Sequence, residues 1–299
     1  MNEQHVVTVG VDGSESSGHA LDWAAREAAQ RGAQLQVVRA FMIPVYAAEF
    51  VPVYPQVDVD ELRASYLAAT ELQVEPVRRR FPGLTIAIAI ENGLTVERLV
   101  DDSRKSDMVV TGSHGAGSLA ALFLGSVAHS LAHRAVCPTV LVPSGALAEG
   151  VKRIVVGTDG SDAAAIAMQW ARAEAATWDA ELTVVHAWEY PYGIDNSSAV
   201  VPAEMMELDA ESLIARAAHL HDEHRPERAG KDHTRLVSGT PGHTLVSESA
   251  GADLLVVGAR GRGALRSALL GSTSSYAIHH AHCPVAVVRS MTVPEPLAS

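Results

Sequence analysis

Positive charge is scarce in this chain: 23 Lys and Arg stand against 35 Asp and Glu, a formal net charge of −12. An extended nucleic-acid surface needs a basic face, so that class is disfavoured, and a polybasic membrane anchor with it. Cysteine is nearly absent. Cys137 and Cys283 are too few to build a disulfide framework in 299 residues. Aromatic residues make up only 5%, so the cores must be filled by Val, Leu, Ile and Ala within a hydrophobic share of 47%. No run of about 18 apolar residues occurs, so no membrane-spanning helix is expected. The opening MNEQHVVTVGVDG enters a strand-like stretch with no charged-then-apolar leader. A soluble, cytoplasmic protein is expected.

What is present is a duplication. Asp12 in VGVDGS and Asp159 in VGTDGS are 147 residues apart, as are Trp23 and Trp170. Gly112 and Gly258 are 146 apart, as are Cys137 and Cys283. So constant an offset marks two whole domains with almost no net insertion. The small, polar GALAEGVK (145–152) is the natural boundary, giving domains at 1–145 and 151–290.

Each half alternates β-rich runs with helical patterns. HVVTVGV and RIVVGT open the halves, and Ala-rich amphipathic stretches follow. Second strands (LQVVRAF, LTVVHAW) lead into Pro- and Tyr-rich stretches at 42–56 and 189–202, then into second helices near 58–80 and 203–224. Further strands and helices end in CPTVLVP and CPVAVVR. Alternation of this kind implies an α/β fold, with parallel strands and helices on both faces. The continuous apolar strands suit a doubly covered sheet.

The fourth strand of each half runs into a glycine frame. Residues 112–126 read GSHGAGSLAALFLGS and 258–272 read GARGRGALRSALLGS. Glycine permits positive φ and close approach of a ligand to the backbone. Successive N–H groups in such a loop make an anion-binding concavity. The closing Gly-Ser falls at the expected start of a helix, where free N–H groups and the positive dipole end favour phosphate and the serine can cap. In open parallel sheets the ligand crevice lies beyond the carboxyl ends of the strands, at the switch in strand order. If strands one and four are neighbours there, Asp12 faces one crevice with Gly112, and Asp159 faces another with Gly258. Neither frame is a Walker A loop, and neither fits GxGxxG after the first strand. A turn or N-cap role for each Asp-Gly-Ser stays open beside ligand binding.

On these residues the chain resembles the universal stress protein family in its tandem form. The nucleotide-binding subgroup of that family carries Gly-x2-Gly-x9-Gly-Ser/Thr, matched by Gly112, Gly115, Gly125 and Ser126, and by Gly258, Gly261, Gly271 and Ser272. The resemblance implies two open five-stranded parallel sheets of order 3-2-1-4-5, Rossmann-like (HUP-type), each with bound ATP and with Mg²⁺ as an optional companion of the phosphates. It implies contacts at the end of strand one (Gly10, Val11, Asp12; Gly157, Thr158, Asp159) and at the end of strand two (Ala40; Ala187). Within and after the frames it implies Gly117, Val127, Gly263 and Thr273. It also implies pairing of the two halves as an intramolecular pseudo-dimer and is compatible with a homodimer. The expected role is a nucleotide-dependent regulator of stress response or growth arrest. Open alternatives are a slow Mg²⁺-dependent ATPase, with Asp12 and Asp159 holding the metal, and a nucleotide-free scaffold. ADP, AMP or a cyclic nucleotide could replace ATP. No catalytic residue is assigned.

The frames differ in charge. Arg260, Arg262 and Arg266 in the second contrast with His114 in the first. Guanidinium suits multidentate phosphate binding, so tighter polyphosphate binding is expected at the second site if these arginines are not simply solvated. The run His279, His280, His282, Cys283 reads better as residues at a helix end than as a metal site, because only His279 and the cysteine recur in the first half, as His133 and Cys137. His219, His221 and His224 read as exposed. Trp23 and Trp170 read as packing residues, and the cysteines as small apolar ones.

Overall fold

The computed structural model describes residues 5–43, 46–48, 51–53, 58–115, 124–145, 149–189, 232–261 and 270–289. Gly117, Arg262, Gly263 and Arg266 lie outside the described residues. So do the second-half helix expected near 203–224, with its histidines, and nearly all of the 189–202 stretch. The chain divides into two compact units, Met1–Leu147 and Ala148–Ser299.

In the first unit β1 (Val6–Gly10) leads to α1 (Glu15–Arg31) and β2 (Gln34–Phe41). A short antiparallel ribbon follows, β3 (Tyr46–Ala48) with β4 (Val51–Val53). Then come α2 (Val59–Arg80), β5 (Ile86–Asn92), α3 (Thr95–Asp102), β6 (Met108–Gly112), α4 (Ser126–Arg134) and β7 (Thr139–Val142). The parallel sheet runs β5-β2-β1-β6-β7. Counting its strands in chain order, this is 3-2-1-4-5, as expected. The ribbon is an addition to the expected pattern: strands of three residues are too short for alternation to register.

The second unit repeats the plan with β8 (Arg153–Gly157), α5 (Asp162–Trp178), β9 (Glu181–Trp188), β10 (Asp232–Ser238), α6 (Pro241–Glu248), β11 (Leu254–Gly258), α7 (Ser272–His280) and β12 (Val285–Val288). Its parallel sheet runs β10-β9-β8-β11-β12.

The sheets are built from β-branched runs buried on both faces: β6, β7 and β12 have no exposed residue. In the first unit α1 and α2 pack together against the sheet, as do α3 and α4. Alanines at 20, 24, 25 and 28, all fully buried, let α1 lie close to the strands, with Leu21 and Trp23 filling beside them. Ser14 caps α1 by accepting from the Ser17 N–H, and Gly32 ends it in the left-handed region. Ser161 and Asp179 do the same for α5, with Asp179 at φ 53°. Trp170 is half-buried where Trp23 is buried.

One repeated carboxylate sets the register between the first and fourth strands. Asp107, just before β6, accepts from the Val6 N–H at 2.7 Å. Asp253, just before β11, accepts from the Lys152 and Arg153 N–H groups at 2.7 and 2.9 Å. These bonds hold β1 beside β6 and β8 beside β11, so the carboxyl ends of each pair finish together.

The cysteines precede β7 and β12 and are buried. Burial pushes the Cys137 thiol up to about 12 and the Cys283 thiol up to about 11. Both are therefore protonated and shielded at pH 8. The native chain is expected to resist iodoacetamide at that pH and to take up label at both cysteines on denaturation. Rapid labelling of the native chain contradicts this placement.

Candidate functional site

In the second unit the carboxyl ends of β8, β9 and β11 and the first turns of α6 and α7 enclose a cavity of about 460 Å³. Every described second-half residue expected at the site lines it: Gly157, Thr158, Asp159, Ala187, Gly258, Arg260, Gly261, Gly271, Ser272 and Thr273. One part of the wall is apolar, from Val185, Ala187, Pro241, Leu245, Val257 and Leu270. The other part is polar, from Thr158, Asp159, Arg260, Ser272, Thr273, Ser274 and glycine backbone. An apolar slot continuous with a polar, N–H-rich end suits a ligand with a flat ring at one end and an anionic group at the other. The volume lies within the common range for small-molecule sites, about 300–1,000 Å³.

Each strand-one loop is shaped by its aspartate. Asp12 Oδ1 accepts from the Ser14 N–H at 2.9 Å and from its hydroxyl at 2.6 Å. Asp159 Oδ1 accepts from the Ser161 N–H at 3.0 Å. The caps of α1 and α5 are the serines, so each aspartate forms the turn and does not cap the helix. The glycine between them, Gly13 at φ 90° or Gly160 at φ 73°, takes a conformation that side-chain-bearing residues avoid.

The frame glycines serve a different purpose. No described one has positive φ; what each lacks is room for a Cβ. A Cβ at Gly112 would lie 2.4 Å from Ser16 Oγ and 2.9 Å from Ser16 backbone atoms; at Gly258 it would lie 3.0 Å from the Ala163 carbonyl oxygen. These two let the first turn of α1 or α5 sit on the end of the fourth strand. A Cβ at Gly115 would lie 3.1 Å from Asp12 Oδ2, and at Gly261 2.5 Å from Asp159 Oδ2. The frame thus folds back onto the aspartate in both units.

The last frame glycine corrects the expected cap. Gly125 and Gly271 are themselves the N-caps of α4 and α7, and Ser126 and Ser272 are the first helical residues. Neither cap makes a side-chain hydrogen bond. A glycine cap has no side chain to occupy the first-turn N–H groups, which leaves them directed outward for an anion. Gly125 and Gly271 are anchored by their own N–H groups, which donate to the Ser113 and Ala259 carbonyls at 2.7 and 2.8 Å. Ser274 is buried and donates its hydroxyl to the Gly258 carbonyl at 2.6 Å, joining α7 to β11.

In the first unit Asp12, Gly112, His114, Gly115 and Gly125 are brought together in the same way. His114 Nδ1 lies 2.7 Å from the Ser113 hydroxyl. Val127, partly buried, packs its side chain against the core cluster around Leu99 and Leu131. Gly10 ends β1 and Val11 follows it, both buried, and Ala40 stands near the end of β2.

Sequence reasoning missed a cationic group on this side. Arg39 lies 4.9 Å over the Tyr66 ring and donates weakly to the Asp12 carbonyl at 3.4 Å. His186 holds the equivalent place in the second unit, with Nδ1 2.7 Å from the Thr158 carbonyl. The shared signal is position: each lies one residue before the alanine expected at the site.

Among the described residues the carboxylate against each frame is Asp12 or Asp159, and no group of three or more His, Cys, Asp or Glu is placed to hold a metal. A Mg²⁺ here would draw most of its ligands from phosphate and water.

The model of the universal stress protein family matches residues 4–143 and again 150–289. A universal stress protein of Mycobacterium tuberculosis is 36% identical over 304 residues, covering 96% of this chain and 98% of its own. One from Mycolicibacterium smegmatis is 30% identical over 292 residues, covering 96% and 97%. Among solved structures, a universal stress protein from Archaeoglobus fulgidus superposes with a TM-score of 0.66 at 19% identity, covering 95% of this chain and 98% of its own.

Proposed function

The chain belongs to the universal stress protein family, with the family domain in tandem, and from that premise we propose that each unit binds one adenine nucleotide, ATP in the first place. The protein then acts as a regulator, in stress response or growth arrest in the cytoplasm, whose state follows nucleotide occupancy and not turnover.

The observation that carries this reading is the second-unit cavity. Its apolar wall at Val185, Ala187 and Leu245 fits an adenine, and Asp159 fits the ribose hydroxyls. The turn of Gly258, Arg260 and Gly261, with the glycine-capped start of α7, fits the phosphates. The first unit reproduces the aspartate, the frame contacts and the glycine cap. A ligand that binds only the folded state stabilises it by mass action, which gives a regulator its output without chemistry.

The experiment is to denature freshly purified protein and to identify and count the released nucleotide by chromatography with mass detection. About two adenine nucleotides per chain are expected. No nucleotide, together with no heat of ATP binding in the presence of Mg²⁺, overturns the reading and leaves an interaction scaffold. Steady phosphate release above a frame-glycine variant's background would move the protein to the ATPase class.

A further inference from the structure

The two crevices differ at the end away from the glycine frame. In each unit a glycine N–H holds the segment after the third strand to the end of the second: Gly93 donates to the Phe41 carbonyl at 2.9 Å, and Gly239 donates to the Trp188 carbonyl at 2.8 Å. The residues that follow these bonds, Met42 with Leu94 and Glu189 with Thr240, occupy equivalent places. In the second unit they are polar and joined, the Thr240 hydroxyl donating to Glu189 Oε1 at 3.2 Å. In the first unit both are apolar and exposed, Met42 at 64% and Leu94 at 60%.

These places border the apolar end of the crevice. Side chains alternate along a strand; Val185 and Ala187 of β9 line the second-unit cavity, and Glu189 is next in that series. Thr240 directly precedes Pro241, which lines the same apolar wall. The glycine frame lies across β8, at the end of β11. The Glu189–Thr240 bond therefore stands at the edge of the wall that fits the adenine, away from the phosphate cradle. Val38, Ala40 and Met42 repeat the series in the first unit. Local stability favours polar residues at both places. Leu94 is the N-cap of α3 and makes no side-chain cap bond, where Ser, Thr, Asp or Asn would be preferred. Met42 and Leu94 together leave two large apolar side chains in water. An apolar ligand group lying across them removes that surface from water. In the second unit the same group would have to cover a carboxylate and a hydroxyl, which costs their hydration.

We propose that Met42 and Leu94 form an apolar lip that fits the first site to an adenine nucleotide carrying an apolar substituent on its base, while the Glu189–Thr240 lip makes the second site reject the same ligand. The proposal rests on the nucleotide reading of the site, and its test separates the two.

The full chain is titrated calorimetrically with ATP and with two probes enlarged on the base edge remote from the ribose, N6-benzyl-ATP and 2-methylthio-ATP. The second-site component is the one that Gly261→Val removes, and the component that remains is the first site. The first site is expected to bind at least one probe about tenfold more tightly than ATP, and the second site to bind that probe about tenfold more weakly than ATP. Giving the first unit the lip of the second, Met42→Glu with Leu94→Thr, should bring the probe-to-ATP ratio of the first site down to that of the second. Both residues are exposed, and the replacements are the types the second unit carries at the same places, so the fold is retained. The reciprocal exchange, Glu189→Met with Thr240→Leu, should let the second site accept the probe and serves as the independent check. A first site that prefers ATP to both probes or does not distinguish them, or a preference that survives the exchange of lips, overturns the lip and leaves the nucleotide reading standing. Binding of neither ATP nor either probe overturns both.

Discussion

Gly261→Val is expected to abolish nucleotide binding in the second unit while the chain stays folded. A Cβ at this position would sit 2.5 Å from Asp159 Oδ2 and 3.5 Å from its Cγ. The carboxylate has little freedom to yield, because its other oxygen accepts from the Ser161 N–H at 3.0 Å and forms the turn that leads into α5. Either Asp159 swings into the cavity or the Arg260–Gly261 segment is pushed out of it. Both outcomes destroy the cradle. The atoms that clash belong to a side chain at the cavity wall and not to the core, so the stability cost stays near the 1 kcal/mol typical of a point substitution. Affinity at the second site should fall by about 100-fold or more, roughly 2.7 kcal/mol. Released nucleotide should drop from about two per chain to about one. Gly115→Val should have a weaker effect on the first site, since its Cβ would meet Asp12 Oδ2 at 3.1 Å. Retention of both nucleotides by Gly261→Val, with unchanged affinity, excludes the frame as the binding element.

The contrast between these glycines shows what the sequence could and could not convey. Spacing alone identified the duplication, the alternation of strands and helices, and the frame, because a repeated offset and apolar runs are one-dimensional signals. The strand order came from family resemblance, and the pairing of β1 with β6 and of β8 with β11 bears it out. The reason for each glycine was not legible. Positive φ and close approach were both expectations for the frame, yet near the site aspartates positive φ falls on Gly13 and Gly160 in the Asp-Gly turns, while Gly112, Gly115, Gly258 and Gly261 are fixed by what stands where a Cβ would be. That distinction depends on contacts between segments about 100 residues apart. Leu245 posed a similar problem. It lies on the cavity wall and its Cδ1 stands where a Cβ on Gly157 would be, but an apolar residue on a helix reads as core unless the space beside it is known. The Gly-Ser cap was misplaced by one residue, the ordinary uncertainty of a helix end.

Gly112→Val is expected to give the largest loss of stability of any frame substitution, about 3 kcal/mol, at the upper end of what overpacking costs. Its Cβ would meet Ser16 Oγ at 2.4 Å and the Ser16 backbone carbon and oxygen at 2.9 Å. A hydroxyl can rotate away. A backbone cannot, because Ser16 belongs to the first turn of α1, and α1 is fixed along its length by Ala20, Leu21, Trp23, Ala24, Ala25 and Ala28 in the core. Relief requires the helix to tilt off β6 and lose that packing. At Gly258 the nearest atoms are the Ala163 carbonyl oxygen at 3.0 Å and its carbon at 3.1 Å, a gap that a shift of a few tenths of an ångström can open, so Gly258→Val should cost about 1–2 kcal/mol. At roughly 2–4 °C per kcal/mol for a unit of this size, Tm should fall by about 6–12 °C for Gly112→Val and by about half as much for Gly258→Val. Scanning calorimetry of both variants beside the parent, without nucleotide, checks the order. Saturating ATP adds a second readout. At 100 times Kd a bound ligand stabilises its unit by about 2.7 kcal/mol, so ATP should raise the Tm of the parent strongly and that of Gly112→Val less, because its first cradle is displaced together with α1. An equal ATP-induced rise in both proteins, or a Gly258→Val loss that exceeds that of Gly112→Val, would show that the first turn of α1 yields more easily than its packing implies, and that the close approach of α1 to the end of β6 is not what requires glycine at 112.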